Sequence, residues 1–217
     1  MSAAASYRSG GAGMIEGLLS PEVASAMAHK LAAGVAQGGL RWLKPPSIGN
    51  KPCYEVSCME WPVLLSFLWG MTPKIENLAG VALWPTYSYF RTYQQGDVCR
   101  IHADRPACEH SLSLTLAYAD GLPWALEVAD TPVADAQRQT QRGDDDFGAE
   151  AHTAYPMTAG DAVIYRGYDY RHGRTTANPN RWSVHLFLHW VERDGAHRDQ
   201  LFDGKRLSGP VDFRFPG

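Results

Sequence analysis

The 217-residue sequence has only four cysteines, Cys53, Cys58, Cys99 and Cys108, and no two of them form a CxxC pair. A chain of this length buries a core without disulfide staples, so reduced thiols are the expectation. No stretch approaches the roughly 18 consecutive apolar residues that span a bilayer, so no membrane segment is expected. The first residues, MSAAASYRSGGAGM, carry neither a basic leader nor a continuous apolar run, and a soluble, cytoplasmic chain is the reading. No long Lys/Arg cluster occurs, and a net charge of −3 with a pI near 6.2 gives phosphate backbones no long-range attraction. Nucleic acid is therefore not expected as a partner, and no internal repeat is visible.

What is present is the material of one ordinary domain, 45% hydrophobic and 20% charged. The small, Gly-rich residues 1–14 predict a flexible N-terminus, with a single folded domain over 15–217. Ser20, Pro21 and Glu22 make an N-cap, an N1 proline and a first-turn acid. Val23, Met27 and Leu31 follow at helical spacing up to Gly38 and Gly39. A second helix is expected over 61–69 and a short third one over 74–78, which completes a helical region of about 15–80. From about residue 81 to 191 the pattern turns to period-two alternation, with strands expected at 86–93, 98–104, 110–118, 124–129, 161–167 and 181–191. Helices followed by strands predict an α+β, mainly β fold with helices packed on one side of a β core. A polar insert at about 130–152 reads as a solvated loop or a lid.

Chemistry concentrates in IHADRPACEH, residues 101–110. His102 and Asp104 lie two apart, so on a strand both leave the same face and can share an ion. Spacing alone is weak: with eight His and fourteen Asp, about half an HxD arises by chance, and His197-Arg198-Asp199 is a second. A facial two-histidine, one-carboxylate iron site needs a further imidazole from a distant strand. No histidine follows Asp199, whereas His172 follows Asp104 in GDAVIYRGYDYRHGR. Nine residues on stand Arg181, Trp182 and Ser183, and a guanidinium beside a hydroxyl can hold a carboxylate. Arg174 is the rival arginine. On strand 181–191, Arg181, Ser183, His185, Phe187 and His189 share one face. Pro106 ends the ligand-bearing segment, leaving Arg105 and Glu109 as a brace.

The order HxD, distal His and Arg-x-Ser, with Tyr93 nine residues before the first ligand, resembles the Fe(II)/2-oxoglutarate-dependent oxygenases. Within them it is similar to the prolyl-4-hydroxylase-like branch, over about residues 85–190. The resemblance implies a double-stranded β-helix, or jelly roll, buttressed by the N-terminal helices. It implies Fe(II) bound by the catalytic residues His102, Asp104 and His172, and 2-oxoglutarate held by Arg181, Ser183 and Tyr93. It further implies consumption of O2, release of succinate and CO2, and oxidation of a C–H bond, usually hydroxylation. An acid at position 104 disfavours halogenation, since halogenating relatives carry a small residue there. A small-molecule or amino-acid-like substrate is the first expectation; a peptidyl-prolyl hydroxylase and a non-catalytic jelly-roll binding module are the alternatives.

Overall fold

The computed structural model describes residues 2–38, 42–134 and 143–204. The N-terminal part contains α1 (Ala3–Gly10), β1 (Ala12–Ile15), α2 (Pro21–Gly38), β2 (Leu43–Lys44), β3 (Cys53–Ser57) and α3 (Val63–Ala79). Then come β4 (Leu83–Gln94), β5 (Cys99–His102), β6 (His110–Tyr118), β7 (Leu126–Ala129), β8 (His152–Tyr155), β9 (Ala162–Tyr165), β10 (His172–Arg174) and β11 (Trp182–Glu192). The strands form two antiparallel sheets, a larger one ordered β1-β9-β6-β11-β4-β3-β2 and a smaller one ordered β5-β10-β7-β8. No helix among the described residues is long and apolar enough to cross a membrane.

Alternation along β6 and β11 sorts their side chains onto two faces, both buried. Leu112, Leu114, Leu116, Leu186, Leu188 and Trp190 join Leu31 of α2 and Leu64, Leu68 and Ile75 of α3 in the main apolar core. Each such side chain contributes about 1.5–3 kcal/mol on burial. The opposite face carries Ser111, Ser113, Thr115, Ser183, His185 and His189, all buried. This polar row faces the smaller sheet, for Arg174 of β10 reaches Ser113 and His185. The helices thus close one side of the large sheet, and a polar interior lies on the other.

Two expectations change. Of the stretch 1–14, expected as a flexible tail, the described residues 2–14 are folded: α1 is capped by Ser2, buries Tyr7, and leads into β1, which pairs with β9. Glycine serves close approach here rather than freedom. Gly11 has φ 77°, and a Cβ on it would lie 2.3 Å from the Tyr170 ring. The two helices expected at 61–69 and 74–78 are one continuous α3, despite Pro73. Its buried stripe of Leu64, Leu68, Thr72, Ile75 and Ala79 outweighs the roughly 3 kcal/mol a mid-helix proline costs. The insert at 130–152 ends in β8, and Arg171 clamps its far end by pairing with Asp144 and Glu150. Residues 135–142, where a lid would have its tip, lie outside the described residues.

Candidate active site

β5 ends at His102 where β10 begins at His172, and the two are register partners across the small sheet. Seventy positions of sequence are thereby closed into one contact, with imidazole centroids 4.5 Å apart. Asp104 stands just past the end of β5, its backbone N–H donating to the Gly167 carbonyl at 2.9 Å. Its Oδ1 lies 3.5 Å from His102 Nε2 and its Oδ2 3.5 Å from His172 Nε2. Both rings are oriented the same way. His102 Nδ1 sits 2.7 Å from the Arg100 carbonyl and His172 Nδ1 3.0 Å from the Tyr170 carbonyl, which turns each Nε2 toward the carboxylate.

This donor set fits a divalent iron-type ion. Asp104 Oδ2 is buried without a hydrogen-bond partner among the described residues, a state that a cation would relieve. Burial alone would raise the Asp104 carboxyl, but the His172 and His102 imidazoles outweigh it and hold the group well below the usual carboxylate range. Burial pushes His172 down to about 4, against the opposing pull of Asp104, so the ring is neutral and its lone pair available near neutral pH. Gly167 makes room for the carboxylate: a Cβ there would lie 2.4 Å from Asp104 Oδ2 and 2.6 Å from Ser111 Oγ.

His189 is a further member that the sequence placed on the inward face without a role. Its Nδ1 is 2.9 Å from Ser111 Oγ, while its Nε2 is buried without a hydrogen-bond partner among the described residues, and the ring shares a cluster with Asp104 and Cys108. The signal for the polar interior was present in HSLSLTLAY, where Ser and Thr alternate with Leu in a strand buried on both faces.

Two residues along β10 from His172 is Arg174, 1% exposed and on the same strand face. It donates to the Trp124 carbonyl, reaches Ser113 Oγ and His185 Nδ1 at 3.4 Å, and lies 4.8 Å over the Trp124 ring. None of those partners is an anion. A guanidinium has five donors, so this buried cation retains capacity for a carboxylate.

Arg181 is placed elsewhere. β11 starts one residue after it, its side chain is 70% exposed, and it is bound to Asp120 through Nε at 2.8 Å and its backbone N–H at 2.7 Å. The strand alternation that would have turned it inward does not reach it. Ser183 and Tyr93 do face the interior, as register partners. Ser183 is buried between Asn178 Nδ2 at 3.1 Å and His185 Nε2 at 3.2 Å. Tyr93 packs edge-on to Trp124 and His185. The structure therefore brings together His102, Asp104 and His172, lines the neighbouring interior with Arg174, Ser183 and Tyr93, and leaves Arg181 outside. The brace expected between Arg105 and Glu109 is not made: Arg105 pairs with Asp203, and Glu109 accepts the Glu192 backbone N–H.

No protein-family model matches the chain, and no curated protein does. Solved structures do. The non-heme alpha ketoglutarate dependent carbocyclase SnoK from nogalamycin biosynthesis superposes with a TM-score of 0.71 at 16% identity, covering 96% of this chain and 93% of that one. The epimerase SnoN, in complex with Fe3+, alpha ketoglutarate and nogalamycin RO, gives 0.61 at 14% identity, covering 98% and 92%. A Pseudomonas putida prolyl-4-hydroxylase gives 0.58 at 17% identity, covering 88% and 97%. At these identities the likeness is one of fold: the chain is built on the fold of the non-haem, 2-oxoglutarate-dependent oxygenases.

Proposed function

We propose that this protein is a non-haem Fe(II)/2-oxoglutarate-dependent oxygenase that oxidises a C–H bond of a small-molecule or amino-acid-like substrate and releases succinate and CO2. The observation that carries the reading is the juxtaposition of a two-histidine, one-carboxylate cluster with a buried arginine two residues along β10 from His172 that has no anionic partner among the described residues. His102, Asp104 and His172 would hold the iron. Arg174, rather than Arg181, would take the distal carboxylate of 2-oxoglutarate, with Ser183 and Tyr93 lining the interior near it. When bound, the iron and 2-oxoglutarate supply the O2-activating, oxidative chemistry. The chain itself orients the two imidazoles through backbone carbonyls and keeps His172 unprotonated. Tyr89, Phe187 and Trp124 pack with Tyr93 in an apolar cluster beside these groups. The facing antiparallel sheets support the double-stranded β-helix as the scaffold.

Hydroxylation is the first outcome in this reading. Cyclisation and epimerisation are reactions of structurally similar proteins, SnoK and SnoN, so the reaction outcome is read from the product. The test has two stages. Anaerobic addition of Fe(II) and 2-oxoglutarate should produce a weak visible charge-transfer band that His102→Ala abolishes. Succinate release is then screened against free amino acids, prolyl peptides and small-molecule metabolites. Stimulation above the uncoupled rate, with a product heavier by one oxygen, supports hydroxylation of that class; no band and no succinate would leave a non-catalytic binding module and overturn the enzyme reading.

A further inference from the structure

Glu109 and His110, the end of IHADRPACEH, belong to a second polar cluster on the other face of the large sheet. β6 turns Ser111, Ser113 and Thr115 inward, so His110 leaves the opposite face, where Leu112 and Leu114 enter the helix-side core. There it meets Tyr7 of α1 and Glu192 at the end of β11. His110 is 1% exposed. Its Nδ1 is committed to the Tyr7 hydroxyl at 2.5 Å, which aims Nε2 at the carboxylates, and Nε2 is buried with no hydrogen-bond partner among the described residues.

Glu192 Oε1 lies 3.6 Å from that nitrogen, too far for a hydrogen bond. Burial and the nearby Arg166 push His110 down to about 3, so the contact is not an ion pair near neutral pH either. Glu109 is drawn in by the Glu192 backbone N–H, which donates to its Oε2 at 2.8 Å. One donor atom from each of the three residues lies within 4.8 Å of the others. Two carboxylates thus converge on a buried imidazole nitrogen that has nothing to bind.

We infer that Glu109, His110 and Glu192 form a second metal site, separate from the catalytic cluster, for a divalent transition ion of the Zn(II), Mn(II) or Co(II) kind. One imidazole nitrogen and two carboxylate oxygens are a donor set such ions accept, with water completing the shell. Its role is structural. Through Tyr7 the ion ties α1 to the start of β6 and the end of β11, three segments distant in sequence. It needs neither iron nor 2-oxoglutarate.

The experiment is a Co(II) titration in the absence of 2-oxoglutarate, followed by visible absorption and by bound metal after desalting. Wild type should take up two equivalents and His102→Ala/His172→Ala one. Adding Glu192→Gln or Glu109→Gln to the double variant should abolish the remaining uptake. Both glutamates are partly exposed, so these isosteric changes leave folding intact, which circular dichroism checks. Co(II) at about a hundredfold over its Kd should raise the Tm of the double variant by roughly 5–10 °C, and the glutamine variants should lose that rise. A double variant that binds no Co(II), or uptake untouched by both glutamine changes, overturns the site. Because the catalytic histidines are absent in the deciding arm, failure of the oxygenase reading leaves this result unaffected.

Discussion

Replacing Arg174 separates two arginines that the sequence offered as carboxylate clamps. Its guanidinium is 1% exposed and hydrogen-bonded to the Trp124 carbonyl, with long contacts of 3.4 Å to Ser113 and His185. Breaking a buried, hydrogen-bonded charge pair costs about 2–5 kcal/mol of binding, which at 1.4 kcal/mol per tenfold is about 30- to 4,000-fold in Kd. Arg174→Met, of similar volume, should therefore raise the Kd of 2-oxoglutarate by at least about thirtyfold. Arg174→Lys keeps the charge but loses the planar fork, and an intermediate rise is expected. Arg181→Ala breaks an exposed pair with Asp120 and should leave that Kd within about twofold of wild type. The assay is anaerobic calorimetric titration of 2-oxoglutarate into Fe(II)-loaded protein, with thermal melts to check that each variant is folded. A folded Arg174→Met protein that binds 2-oxoglutarate as tightly as wild type, or an Arg181→Ala protein that loses it, refutes the assignment.

Gly167→Ala should damage the metal site without touching a ligand, because its Cβ would meet Asp104 Oδ2 at 2.4 Å. Metal affinity at the catalytic cluster is expected to fall roughly 10- to 100-fold, the usual cost of disturbing a ligand's support; an unchanged Co(II) affinity there would contradict the geometry. Acid should destabilise the metal-free protein. His172 and His189 are both pushed from 6.5 to about 4, mainly by burial, so the unfolded chain takes up protons that the folded one refuses. Stability therefore falls as pH drops from 6.5 toward about 4, by up to roughly 3 kcal/mol for each ring. Urea melts at about pH 7 and about pH 4.5 read this directly, and equal midpoints would mean the rings are not buried.

Much of the site was legible because strands impose a period. His102 and Asp104 are picked out from the second HxD at 197–199 by the histidine and arginines that follow them, and the Gly160-Asp161 turn before β9, with the loop carrying His172, follows from local turn chemistry. The long strands β4, β6 and β11 are visible for the same reason, being long enough for alternation to stand out. The short strands β1, β2, β3, β8 and β10 are not, whereas β5, β7 and β9, equally short, lie inside longer runs of apolar and β-branched residues that do show a pattern. The N-terminus was misread because glycine looks alike whether it confers freedom or permits close approach. Only the Tyr170 ring against Gly11 tells which.

Which arginine faces the interior was a question of register, and register is not local. A strand that begins at Trp182 instead of Arg181 puts the second arginine in solvent, and a three-residue strand puts the first beneath Trp124. The sequence by itself determined the candidate ligand types, their order and the binary pattern of the long strands, since those depend on chemistry and on the two-residue period of an extended chain. The tertiary structure alone decided which side chains converge, the three metal-binding candidates, buried Arg174, and the separate Glu109, His110 and Glu192 cluster. Convergence comes from the pairing of β5 with β10 and of β6 with β11, and no local interaction encodes either.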